Sequence, residues 1–362
     1  MVKIVDRRAG ATELLVEFLG GKSPEKAIHY PALCPQQVTQ GDLVLLNTTA
    51  IGLGLGTGGY HFVIANLSQS AVEPGGEIPT GHTMKLRYTP LQVRCLAVEE
   101  PDSPYHETLE RAQSLDGMPV VAAGLHSQLA PICAAIKAHT AGKARIAYIM
   151  SDTASLPFAF SRLAEELQKK GLVDITITAG QAFGGDLEAV NVYSALLAAK
   201  AAAQADVAVL CQGPGNIGTE TLFGFGAIYQ GEGVNAVGAL GGVALAAVRM
   251  SFADPRPRHR GVSQQFLVSL GRVALCRAIV VLPRLEEKKL LPLREQLTES
   301  GISGRHEVVI EEGETGLEEL RRLDIKVSSM GRSVDEDREF FLAAAAAGAA
   351  AAKRYGLRGN SA

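Results

Sequence analysis

The sequence has no paired-cysteine motif. Its five cysteines, Cys34, Cys95, Cys133, Cys211 and Cys276, stand 61, 38, 78 and 65 residues apart, and none forms a CxxC or CxH pairing. That spacing excludes a zinc-ribbon or dithiol redox site, and scattered thiols in apolar segments read as reduced and buried in a cytosolic chain. A charge excess is also missing: 35 Lys and Arg stand against 38 Asp and Glu, a formal charge of −3. The broad basic surface required for non-specific nucleic-acid binding is therefore absent. No apolar h-region follows the stretch 1–8, so no secretory signal is expected. The longest weakly polar stretches, 236–247 and 340–352, fall well short of the ~20 apolar residues that span a bilayer. The expectation is a cytoplasmic chain with neither nucleic-acid nor membrane partners.

What is present suits a globular enzyme-sized protein. The 362 residues are 47% hydrophobic and 20% charged, with a mean hydropathy of +0.12, enough for a sizeable core and, by length, for two domains. Residues 1–115 read as a small β-rich domain, with short β-favouring runs at 13–19, 42–46, 60–66, 84–89 and 91–98 between Gly, Pro, Asn and Ser clusters. Such spacing suggests a small antiparallel barrel or sandwich. The glycine-rich hairpin at 53–61 then reads as a bend for barrel closure, and a polar stretch, 107–116, as a linker helix.

Residues 116–362 change rhythm. Apolar strands at 119–124, 145–150, 173–179 and 206–211 alternate with helices at 127–139, 157–170 and 187–203. This pattern requires crossovers and a parallel sheet; it predicts a Rossmann-like, doubly wound domain. Further on come helix 264–276, strand 278–282, helix 286–300, strand 307–310, a short helix 317–323, a strand 325–328 and a last Ala-rich helix, 335–355. The scarcity of charge over 196–250 fits burial on both faces. The apolar stretch 234–250, rich in glycine and alanine, suggests homo-oligomerisation.

In open parallel sheets, ligands bind outside the carboxyl ends of the strands, near the switch in strand order. The four strand ends carry Gly124-Leu125-His126-Ser127, Ser151-Asp152-Thr153-Ala154-Ser155, the run Gly180 to Asp186, and the run Gln212 to Thr221. A ligand crevice lined by these loops is the first expectation. Within the last run, Gly213-x-Gly215-x-x-Gly218 has the spacing of a phosphate-cradling loop. Two departures weaken a dinucleotide reading: the motif follows the fourth strand, and the next acid, Glu232, lies in a turn. Gly213, Gly215, Asn216, Gly218 and Thr219 are therefore candidates for holding a generic anion, with a purely structural tight turn as the alternative. No cofactor is assigned.

A second cluster, Ala253-Asp254-Pro255-Arg256-Pro257-Arg258-His259-Arg260, sets three arginines on a proline-stiffened path. The guanidinium fork suits phosphate or carboxylate, which makes Arg256, Arg258 and Arg260 ligand-binding candidates; a solvated loop paired with acids is the plainer reading. Histidine is the side chain that titrates nearest neutral pH, which makes His126 a candidate general base, with Asp152 or Asp186 to orient it. A hydrogen-bonded structural histidine is the alternative. A mixed metal site of His126, Asp152, Asp186 and His259 lacks any helical i, i+4 ligand pair, and no metal is assigned. Ser127, Ser151 and Ser155 have no nucleophile-elbow frame.

Several strings, 41–47 with 52–63, 83–92, 213–219 and 253–263, resemble a bacterial family known only as a domain of unknown function. The resemblance spans roughly 10–350. It implies one family unit in which a β-rich region joins an α/β region, and it brings no reaction or substrate. The reading from residues is an enzyme or enzyme-like protein for a small anionic metabolite, with a non-catalytic sensor or assembly protein as the alternative.

Overall fold

The computed structural model describes residues 2–21, 23–56, 58–69 and 81–359. The chain divides into two compact units, Met1–Asp102 and Ser103–Ala362. The first is built on strands β1 (Val2–Arg8), β2 (Ala11–Val16), β3 (Glu25–His29), β4 (Val44–Asn47) and β5 (His61–Asn66), in the order β1-β2-β3-β5-β4. Alternation drives it: Val2 and Ile4 join Leu14, Val16, Ala27, Val44, Leu46 and Val63 in one cluster, while Lys3 and Val5 between them face outward, as a period of two demands.

The barrel expectation is corrected here. Among the described residues the five strands form an open sheet with β1 and β4 as edges. Its β3–β5 pairing is parallel, so the sheet is not a simple antiparallel meander. The glycine-rich segment does join the antiparallel pair β4 and β5, although Thr57 within it lies outside the described residues. The runs 84–89 and 91–98 contribute only a short ribbon, Thr83–Lys85 against Val93–Cys95. Leu86 and Tyr88 have φ of 49° and 65°, which ends the strand in a turn.

The second unit contains an eight-stranded, wholly parallel sheet flanked by helices. Its strands are β6 (Pro119–Ala123), β7 (Ile146–Ser151), β8 (Ile175–Ala179), β9 (Leu187–Ala189), β10 (Val207–Gln212), β11 (Val243–Ala247), β12 (Ile279–Pro283) and β13 (Glu307–Glu311). They lie in the order β9-β8-β7-β10-β6-β11-β12-β13. The central strands β6, β7 and β10 are buried at every residue, as expected of strands covered on both faces.

Its helices include α1 (Leu129–His139), α2 (Arg162–Lys169), α3 (Val192–Leu197), α4 (Tyr229–Ala239), α5 (Gln264–Val268), α6 (Glu287–Glu299), α7 (Glu314–Arg322) and α8 (Arg338–Gly359). Helix α8 is the Ala-rich segment, and Phe341 and Ala344–Ala347 are fully buried in the main core with Ile132, Ala135 and Leu317. Small side chains let it approach α1 so closely that a Cβ at Gly348 would overlap the Ile132 carbonyl oxygen.

Three sequence expectations change. Residues 187–189 begin not a helix but β9, because after β8 the chain doubles straight back before running parallel to it. Asn191 then caps α3, its Oδ1 accepting from Tyr193 N and Ser194 N at 2.9 and 3.1 Å. Most of the stretch 234–250 is interior: Val234 and Val237 of α4, Ala244–Ala247 of the inner strand β11 and the following Val248 are buried, which removes the ground given for self-association. The strand expected at 325–328 is reduced to a two-residue ribbon, Ser328–Ser329 with Arg332–Ser333.

Candidate functional site

The neighbouring strands β10, β6 and β11 all end at one opening. Beyond their carboxyl ends lies a cavity of about 410 Å³, walled by Leu125–Ser127 after β6, by Gln212 and Pro214–Asn216 with Gly218 after β10, and by Arg249, Arg256, Arg258, His259 and Gln265 after β11. Leu163 of α2 and Ser328, Ser329 and Met330 of the small ribbon complete the wall.

Buried amides hold this edge apart. Gln128 Oε1 accepts from Gly124 N and Leu125 N at 3.1 Å each, and its Nε2 donates to Val248 O at 3.2 Å. Gln230 Nε2 donates to Ala122 O and Ala247 O at 2.8 and 2.9 Å, and Gln212 Nε2 to Gly124 O at 3.0 Å. Where parallel strands diverge, their ladder bonds cease, and these side chains satisfy backbone groups that would otherwise be buried unpaired.

The cavity is cationic. Arg256 forms a two-pronged bond to Asp254, Nε to Oδ1 at 2.9 Å and Nη2 to Oδ2 at 2.8 Å. That contact holds the Asp254 carboxyl well below the usual carboxylate range. Arg332 also donates to Asp254 Oδ2, at 3.1 Å, and to Asp337 Oδ2, at 2.9 Å. Arg258 pairs with Glu220, whose side chain is 71% exposed. Arg249 differs from all of these. It is 7% exposed, its guanidinium donates to Gln265 Oε1, and among the described residues no carboxylate pairs with it. Burial, with Arg256 beside it, pushes its pKa down to about 10. Sequence reading missed Arg249 because it stands in an apolar run; its place two residues past the end of β11 was the available signal.

His259 lies among these arginines. Its Nδ1 hydrogen-bonds Ser263 Oγ at 2.7 Å and its Nε2 accepts from Arg258 Nε at 3.4 Å; burial first, then Arg249 and Arg256, lower its pKa to about 4. His126, half-buried, donates from Nδ1 to Gln212 O at 3.2 Å, which leaves Nε2 to accept from Ser161 Oγ at 2.7 Å. Ser161 Oγ accepts in turn from Ala164 N as the N-cap of α2. Burial lowers the His126 pKa to about 4, so both rings are neutral at pH 7.

The remaining candidates divide. Gly213, Gly215, Asn216 and Gly218 lie on the turn after β10. A Cβ on Gly213 would come within 2.8 Å of Ala154 O, whereas Gly215, at φ 97°, faces open space. Asn216 is a strut, accepting from Ala227 N at 2.9 Å and donating to Gln265 Oε1 at 3.1 Å. No helix follows the glycines: Gly218 bridges to Phe225, and α4 starts only at Tyr229. Thr219 lies outside the cavity, its hydroxyl donating to Gly224 O at 2.9 Å. Arg260 is exposed and also outside it.

Neither aspartate expected to orient His126 hydrogen-bonds it. Asp152 accepts from Gln181 N at 3.0 Å. Asp186 is at the opposite end of the sheet, where it accepts from Thr176 N and Oγ1 at 2.8 Å and from Gln168 at 2.7 Å, because the segment after β8 returns to that strand's start. Among the described residues, no group of three or more His, Cys, Asp or Glu is placed to hold a metal ion. No helix among them is long and apolar enough to cross a membrane.

Residues 26–348 match the family described as "Protein of unknown function (DUF3866)". The chain belongs to that family. The match runs from β3 into α8 and takes in every residue that lines the cavity. Comparison with curated proteins and with solved structures finds no match.

Proposed function

We propose that the second unit is a Rossmann-like, doubly wound domain whose cavity binds a small anionic metabolite through a phosphate or carboxylate group. One observation carries the proposal: Arg249 is a buried cation that pairs with no carboxylate among the described residues, facing a cavity at the strand ends. Removing a charge from water is unfavourable unless a counter-charge or strong hydrogen bonds replace the solvent. A single neutral amide does so incompletely, and an anionic ligand would complete it. The strand order supports the same place. From the centre, β7, β8 and β9 run outward to one side and β11, β12 and β13 to the other, and crevices at such reversals are where ligands sit in this architecture.

Binding without turnover is the form favoured here over acid–base catalysis. Both ring nitrogens of His126 are engaged within the protein, and its pKa of about 4 lies far from the value suited to a general base at neutral pH. A sensor or carrier of an anionic metabolite is thus the reading put forward, in a reducing compartment that suits five free thiols.

A thermal-shift screen of the full chain tests it, with carboxylic acids, sugar phosphates, nucleoside phosphates, NAD, FAD and divalent metals. A ligand binding only the folded state at 100 times its dissociation constant adds about 2.7 kcal/mol. The proposal expects an anionic hit that Arg249→Met abolishes. A panel without anionic hits, or a hit equally strong in Arg249→Met, would refute it.

A further inference from the structure

We propose that the cavity takes a doubly charged phosphate group, held between Arg249 and Arg258, and that Glu220 is the carboxylate this group displaces. The inference rests on the anion-binding reading above and narrows it to one chemical class.

The argument is one of charge and exposure. Three arginines line the cavity, and they are not equally free. Arg256 is committed by its two-pronged bond to Asp254, whose side chain is 2% exposed and is also held by Arg332; breaking that pair would strand a buried carboxylate, which is strongly unfavourable. Arg249 pairs directly with no carboxylate among the described residues. Arg258 has only Glu220, and a pair with so exposed a carboxylate is weak, on the order of 1 kcal/mol or less. Two cations, one without a direct carboxylate partner and one loosely paired, therefore face a single cavity. A carboxylate supplies one negative charge. A phosphate monoester at neutral pH supplies about 1.5 to 2, with three acceptor oxygens for the guanidinium donors. Gly215 lines the cavity in a positive-φ turn, and a Cβ there would meet nothing within 4 Å.

The same arrangement gives Glu220 a definite role. Its carboxylate competes with the incoming phosphate for Arg258, and displacing it frees an exposed side chain to water. Removing that competitor should tighten binding of a phosphate that uses Arg258 and leave unaffected an anion that uses Arg249 alone.

The test is calorimetric titration of the full chain at pH 8 and fixed ionic strength, with inorganic phosphate and with acetate as probes. Wild type, Arg249→Met, Arg258→Gln and Glu220→Gln are compared. The inference expects phosphate to bind at least tenfold more tightly than acetate, Arg249→Met and Arg258→Gln each to weaken it tenfold or more, and Glu220→Gln to tighten it by up to about fivefold. Acetate binding as tightly as phosphate, lost in Arg249→Met but unchanged in Arg258→Gln and Glu220→Gln, would overturn the phosphate assignment and leave the anion site standing. Absence of binding by either probe in wild type would overturn both. Glu220 is on the surface, so its variant tests the idea even where a buried substitution perturbs folding.

Discussion

Replacing Arg249 by methionine should make the protein more stable and less able to bind. Arg249 is 7% exposed and pairs with no carboxylate among the described residues, and burial, with Arg256 beside it, pushes its pKa down to about 10. At 1.36 kcal/mol per pKa unit, that corresponds to roughly 3 kcal/mol by which the empty fold disfavours the charge. Methionine has a similar reach without the charge. It forfeits the hydrogen bond to Gln265, about 1.5–3 kcal/mol for a charged donor, of which part returns because Asn216 still donates to the same oxygen. The balance is a gain of about 1 kcal/mol, or some 2–4 °C in melting temperature for a unit of this size. Differential scanning calorimetry of both proteins in anion-free buffer, with and without added phosphate, measures it. A rise in the empty protein together with loss of the phosphate response is the signature of a side chain kept for a ligand rather than for the fold. A fall of 2 kcal/mol or more in the empty protein would refute the reasoning, because Arg249 would then be a structural strut.

Other expectations follow from the same geometry. His126 and His259 have folded pKa values of about 4 against an unfolded value near 6.5. The unfolded state therefore binds more protons between those limits, and stability should fall as pH drops from about 6.5 to 4, by at most roughly 3 kcal/mol for each ring. Asp254, with its pKa depressed, gives stability that is lost only at still lower pH. Urea unfolding at pH 7 and 5 should reveal the decline, and His259→Asn should flatten it; a midpoint that is constant across this range would contradict both burials. Gly348→Val should destabilise by about 1–3 kcal/mol, since α8 would have to retreat from Ile132, and an unchanged urea midpoint would rule out that close approach. Ser161→Ala removes the cap of α2 and the partner of His126 Nε2. A loss of about 1–2 kcal/mol with retained phosphate binding is expected, whereas loss of binding with the fold intact would make this pair part of the site.

The parallel sheet was legible because its signal is local. The runs at 119–124, 145–150, 173–179 and 206–211 are short, apolar and bounded by polar turns, and each is a strand. What escaped was set by neighbours far along the chain. Strand β11 and helix α4 read as one undivided apolar stretch, because residues buried on every side carry no periodicity. Strand β1 was overlooked in a segment read for its lack of a leader. Residues 187–189 have no strand signature of their own and become β9 by pairing with β8. The strand-end rule located His126, Gly215, Asn216 and Gly218 at the cavity, and the proline-stiffened arginine cluster supplied Arg256 and Arg258. It misplaced Asp186 because the rule assumes that a polar loop stays at the end where its strand finishes. Arg249 was missed for the opposite reason: a single cation in an apolar run gives no motif, and its importance lies in a burial that only the fold creates.

The most direct test of the central claim is anomalous diffraction from crystals grown with selenate, a tetrahedral dianion. The account predicts a selenium peak within hydrogen-bonding reach of the Arg249 guanidinium, roughly 2.7–3.2 Å from nitrogen to oxygen, and none there in Arg249→Met. Selenate bound elsewhere with the cavity empty, or held at the cavity equally well without Arg249, would contradict it.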